Sequence, residues 1–143
     1  MKKIMIVTGH GQFATALQST FELLMGPTDV LHFVDFTATD TDKFLKECFE
    51  RILAANEDRQ VLFVCDILGG TPFKVAAELA LQAENREVVA GVNIGSIIEA
   101  IYQNEQMPVQ ALADAVVRAS KKGTLRFEKV IISQPCSVHS NGI

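Results

Sequence analysis

The chain reads as an α/β protein with a doubly wound, mostly parallel sheet and helices on both faces. Three observations predict this. Short apolar runs such as Ile4-Met5-Ile6-Val7 and Val61-Leu62-Phe63-Val64-Cys65 have the length and composition of buried parallel strands. Segments with apolar residues at helical spacing alternate with these runs. Glycine, proline and small polar residues punctuate the junctions.

The elements follow in order. Residues 4–8 form the first strand and 12–25 the first helix, with Phe13, Leu17, Phe21 and Leu24 at helical spacing. Gly26-Pro27 stops that helix. Residues 30–36 form the second strand. Thr39 or Asp40 caps the next helix, whose apolar stripe is Phe44, Leu45, Cys48, Phe49, Ile52 and Leu53. Residues 60–65 form the third strand, and Pro72 opens the third helix, where its missing N–H costs nothing. Residues 87–92 form the fourth strand, and two helices follow near 96–103 and 109–121, the last ended by Gly123. The first, third and fourth strands read as continuous apolar runs. Residues 124–131 alternate instead, with one wet face, as an antiparallel edge strand open to pairing or exchange with another subunit.

A length of 143 residues suits one domain, taken as 1–131, with 132–143 a tail or a truncated linker. Hydrophobic residues make up 48%, enough for a full core without staples. The net charge of −4, from 13 basic and 17 acidic residues, argues against a nucleic-acid partner. No apolar stretch approaches a membrane span, and the N-terminal run is too short for a signal peptide, so the expected location is the cytoplasm. Cys48, Cys65 and Cys136 are far apart and odd in number, and Cys48 and Cys65 read as core residues.

The chemistry gathers at strand ends. His10 follows the first strand, between Gly9 and Gly11, and Asp66 ends the third. Open α/β sheets build their sites at strand carboxyl ends. A neutral imidazole is nucleophilic, and one ring nitrogen can react while the other is held. Asp66 is the natural holder, fixing the tautomer and stabilising the imidazolium; its other reading is a turn aspartate. Gly69-Gly70-Thr71-Pro72 then supplies flexible backbone, a hydroxyl and a helix start, the outline of an anion nest with Leu68 beside it. The same tetrapeptide also suits an ordinary strand-to-helix turn. Phe13, Ile67 and Phe73 are either core or a docking patch for a protein partner. His32 and His139 lack a site-like context, and no ligand spacing supports zinc, so neither metal nor cofactor is expected.

With Thr8-Gly9-His10-Gly11, Asp66-Ile67-Leu68-Gly69-Gly70-Thr71-Pro72-Phe73 and Ala90-Gly91-Val92-Asn93-Ile94 in this order, residues 1–130 resemble the enzyme IIA domain of the mannose family of sugar phosphotransferase systems. The resemblance implies that His10 accepts phosphate from the phosphocarrier HPr and passes it to a IIB domain. It implies that Asp66 orients His10 and that Thr71 with nearby amides holds the phosphoryl group. It further implies a homodimer exchanging its last strand, at the membrane with IIC and IID subunits. Gly95-Ser96 departs from the family, many of whose members have proline there. Competing readings are a receiver-like domain phosphorylated on Asp66, the phosphotransfer subunit of a dihydroxyacetone kinase, and a non-catalytic small-molecule binding module. Thr8, Gly9 and His10 stand where a receiver domain wants acidic residues, which argues against the first.

Overall fold

The structure, a computed structural model, describes residues 2–130. Within them the chain forms β1 (Lys3–His10), α1 (Phe13–Met25), β2 (Leu31–Phe36), α2 (Asp42–Ala54), β3 (Gln60–Cys65), α3 (Thr71–Ala80), β4 (Arg86–Ala90), α4 (Ile94–Gln103) and α5 (Val109–Gly123). The sheet order is β2-β1-β3-β4, and every pairing is parallel. The chain steps outward from β1 to β2 and then returns past β1 to β3. The topological switch point therefore lies between β1 and β3, at their carboxyl ends.

Central β1 is buried on both faces, which is why it reads as unbroken apolar sequence. Met5 and Val7 pack into one core with residues of α1, α4 and α5, and Ile4 and Ile6 into another with α2 and α3. Alternation along β1 then sends His10 to the α2–α3 face and Gly9 to the α1 face.

Tertiary context corrects several local readings. Strand β1 runs to His10, two residues beyond the expected end, because β2 continues to pair with it. Thr41, not Thr39 or Asp40, caps α2 by accepting from the Phe44 N–H at 3.1 Å. Asp40 instead closes the preceding turn on the Thr37 N–H at 2.7 Å. Helix α4 starts at Ile94 because Asn93 Oδ1 accepts from the Ser96 N–H at 3.0 Å. Leu24 and Phe44, expected on buried stripes, are 60% and 46% exposed. Among the described residues β4 has β3 as its one strand neighbour, so in it only Val89 is buried where a continuous buried run was expected. Residues 124–130 form no strand within the single chain, and Leu125, Phe127 and Val130 are exposed. Residue 131, the tail, Cys136 and His139 lie outside the described residues.

Candidate active site

His10 is the last residue of β1, and β2 holds it there. Gly9 pairs with Asp35, His10 with Phe36, and the Gly11 N–H donates to the Phe36 carbonyl at 2.7 Å. Asp66 follows β3 directly, across the switch point. Its Oδ2 accepts from the His10 backbone N–H at 2.9 Å and lies 2.7 Å from the ring Nδ1. Its Oδ1 accepts from the Ile67 N–H at 2.8 Å. A carboxylate can only accept, so in the neutral imidazole the proton sits on Nδ1 and Nε2 keeps its lone pair. The imidazole is 44% exposed and the carboxylate 13%, so a reactant reaches the ring and not its holder. Burial by itself pushes the Asp66 carboxyl up. The His10 N–H, the His10 ring and the Ile67 N–H outweigh that and hold it below the usual carboxylate value of 3.8.

The turn after Asp66 completes the arrangement. Gly69 has φ +78°, a left-handed conformation that favours glycine. Gly70 packs against the far edge of the imidazole. A Cβ there would stand 2.7 Å from His10 Cε1 and 3.5 Å from Nε2. Gly70 is also the N-cap of α3, which has no side-chain cap, with Pro72 in the first turn. First-turn N–H groups have no partner within a helix, and α3 starts at Gly70, against the His10 ring. Thr71 is half-buried at the first helical position. Ile67 and Leu68 stand out at 56% and 79% exposure, whereas Phe13 and Phe73 pack against the two cores. Ile67 is thus the exposed member of the expected docking patch.

The structure therefore brings His10, Asp66 and the Gly69–Thr71 turn together. It keeps His32 apart: that residue pairs with Ile6, four residues before His10 on β1. Burial, with Arg59 adding, holds the His32 imidazole below the usual 6.5 against the opposing pull of Asp29. Burial, with the Asp66 charge adding, pushes the Cys65 thiol up to about 12, leaving it a protonated core residue. Cys48 is only half-buried, on the flank of α2.

Two residues escaped the sequence reading. Phe36 meets the imidazole edge to face, with ring centres 5.9 Å apart. Asp35 receives the Thr15 N–H at 3.0 Å and the Thr15 hydroxyl at 2.6 Å. The available signal was their place at the end of the second strand, equivalent to that of His10 and Asp66.

Comparison with known proteins gives a consistent set. The family described as the PTS system fructose IIA component, EIIA-man, matches residues 3–117. The fructose-specific EIIA component of Bacillus subtilis is 29% identical over 118 residues, 82% of this chain and 81% of that protein. The mannose-specific EIIAB component of Escherichia coli K12 is 35% identical over 107 residues, 73% of this chain but 33% of the relative, so the chain spans about a third of that longer protein. A mannose/sorbose-specific IIA subunit from Enterococcus faecalis superposes with a TM-score of 0.81 at 25% identity, covering 90% of this chain and 96% of that one.

Proposed function

This chain belongs to the EIIA-man family of phosphotransferase-system IIA components, and we propose that His10 is its phosphoryl carrier. The observation that carries the proposal is the 2.7 Å contact between Asp66 and Nδ1, which leaves Nε2 as the nucleophile. In this reading HPr is the donor and a IIB domain the acceptor. The Nε2 lone pair attacks the phosphorus of phosphorylated HPr from the exposed side. The new N–P bond forms as the bond to the donor imidazole breaks, and the donor leaves with its own electron pair. Positive charge that develops on the His10 ring is balanced by Asp66. The phosphoryl oxygens accept from the open N–H groups at the start of α3 and from the Thr71 hydroxyl. Such transfer needs positioning and charge balance more than covalent machinery. The second half-reaction reverses the first, with a IIB side chain as nucleophile. Sugar choice then falls to membrane subunits, and exposed Ile67 and Leu68 form part of the surface that meets HPr and IIB.

The reading includes a homodimer. Among the described residues the outer edge of β4 is unpaired, and residues 124–130 carry exposed Leu125, Phe127 and Val130 beyond α5. Pairing of that segment with a partner's β4 would cover both. Light scattering on the full chain and on a chain ending at Gly123 checks this: a dimer that becomes a monomer is expected, and a monomeric full chain refutes it.

The deciding experiment incubates the chain with phosphoenolpyruvate, enzyme I and HPr and weighs the intact protein. One phosphoryl group is expected, lost in acid, stable in alkali and absent in His10→Ala. Phosphate retained in that variant removes His10 as carrier. No adduct on the wild type, with HPr itself phosphorylated, removes the HPr-fed relay.

A further inference from the structure

We infer that Asp35 is a positioning residue for His10, acting through the first turn of α1; the inference rests on His10 being the phosphoryl carrier. Helix α1 begins at Phe13, and its N-cap residue, Gln12, gives no side-chain hydrogen bond. The cap comes from the neighbouring strand instead. Asp35, at the end of β2, takes both the N–H and the hydroxyl of Thr15, the third helical residue. A serine or aspartate at position 12 would satisfy the Thr15 N–H locally. A cap from β2 adds something a local one cannot: it ties the start of α1 to the sheet.

That tie bears on the site. Phe13, the first residue of α1, lies against Gly9, where a Cβ would stand 2.5 Å from the Phe13 ring and 2.8 Å from Asp66 Cβ. The end of β1 at Gly9 is therefore packed against both the start of α1 and the base of the Asp66 side chain. The same strand end also holds the His10 turn through the Gly11 N–H and sets the Phe36 ring against the imidazole. With Asp35 removed, the first turn of α1 is free to lift. Phe13 then leaves Gly9, the strand end that carries His10 and packs on Asp66 loosens, and the imidazole loses the fixed angle that aims Nε2. Transfer is sensitive to such shifts, because a displacement of about 1 Å can cost on the order of a hundredfold in rate.

The test uses Asp35→Ala, Asp35→Asn and Thr15→Val in the full chain, with single-turnover transfer from phosphorylated HPr and ¹⁵N spectra of the His10 ring. For Asp35→Ala we expect a maximal rate about tenfold lower, half-saturation by HPr unchanged, and ring signals moving from one tautomer toward a mixture. Smaller changes in the same direction are expected for the other two variants, and they decide the matter if the alanine variant does not fold. A lower melting temperature with rate and ring signals unchanged overturns the inference and leaves Asp35 a helix cap. The ring spectra need no phosphate. A wild type that takes none would sink the carrier reading, while the spectra would still report whether Asp35 sets the tautomer.

Discussion

Helices α1 and α3 both begin beside His10, yet their first turns are finished in opposite ways. At α1 a carboxylate from β2 occupies the donors. At α3 a glycine caps, a proline sits in the first turn, and no side chain among the described residues caps the helix start. A missing cap costs on the order of 1 kcal/mol of stability. The difference separates two uses of one piece of chemistry. A filled helix start anchors the element, and an empty one beside a nucleophile is ready for an anion.

The sharpest way to break this comparison is to make α3 resemble α1. In Gly70→Asp a carboxylate would occupy the open donors and crowd the imidazole. We expect transfer from HPr to fall at least a hundredfold, on the order of the loss when a transition-state donor is removed. Gly70→Ala separates crowding from charge. Its Cβ would stand 2.7 Å from His10 Cε1, and a loss of about tenfold is expected. Equal rates in the aspartate and alanine variants would remove the electrostatic part of the argument.

Asp66→Asn tests the holder, with a loss on the order of a hundredfold expected and a melting temperature within a few degrees of wild type. The amide accepts from the His10 N–H but cannot balance imidazolium. An unchanged transfer rate would return Asp66 to the role of a turn residue.

Acid should act through the same carboxylate. The Asp66 carboxyl is held below its usual 3.8 in the folded chain. Its contribution to stability is therefore present above that value and lost as pH falls through the depressed one. Denaturant midpoints between pH 6 and pH 3 check this. Wild type should lose more stability toward the acid end than Asp66→Asn, and parallel curves would show that the carboxylate contributes nothing.

The smallest effect concerns the strand that leads to His10. The Thr8 hydroxyl is buried and has no hydrogen-bond partner among the described residues. Thr8→Val should raise stability by about 1 kcal/mol, because an unpaired buried hydroxyl is costly. The transfer rate should not change. A rate loss would bring Thr8 into the site.

Much of this was legible in the chain. Unbroken apolar runs announced β1 and β3, and the polar residues closing them proved to be neighbours. The Gly69–Pro72 turn was legible because its glycines and proline act locally. The readings that failed did so where a neighbour decides. The extension of β1 to His10 depends on pairing with β2, and the exposure of β4 depends on its being an edge. Likewise, nothing in helical spacing tells that Leu24 lies past the rim of the core.

By itself the sequence determined the fold class, the strand ends that carry chemistry and the His10–Asp66 pair as the residues to watch. All of these rest on periodicity and turn chemistry within short windows. Tertiary structure alone decided which imidazole nitrogen is free, that Gly70 lies against its far edge, and that Asp35 ties α1 to the sheet. Those contacts join residues 20 to 60 positions apart, as in the 56-residue separation of His10 and Asp66. They depend on strand register and helix placement, which no single segment encodes.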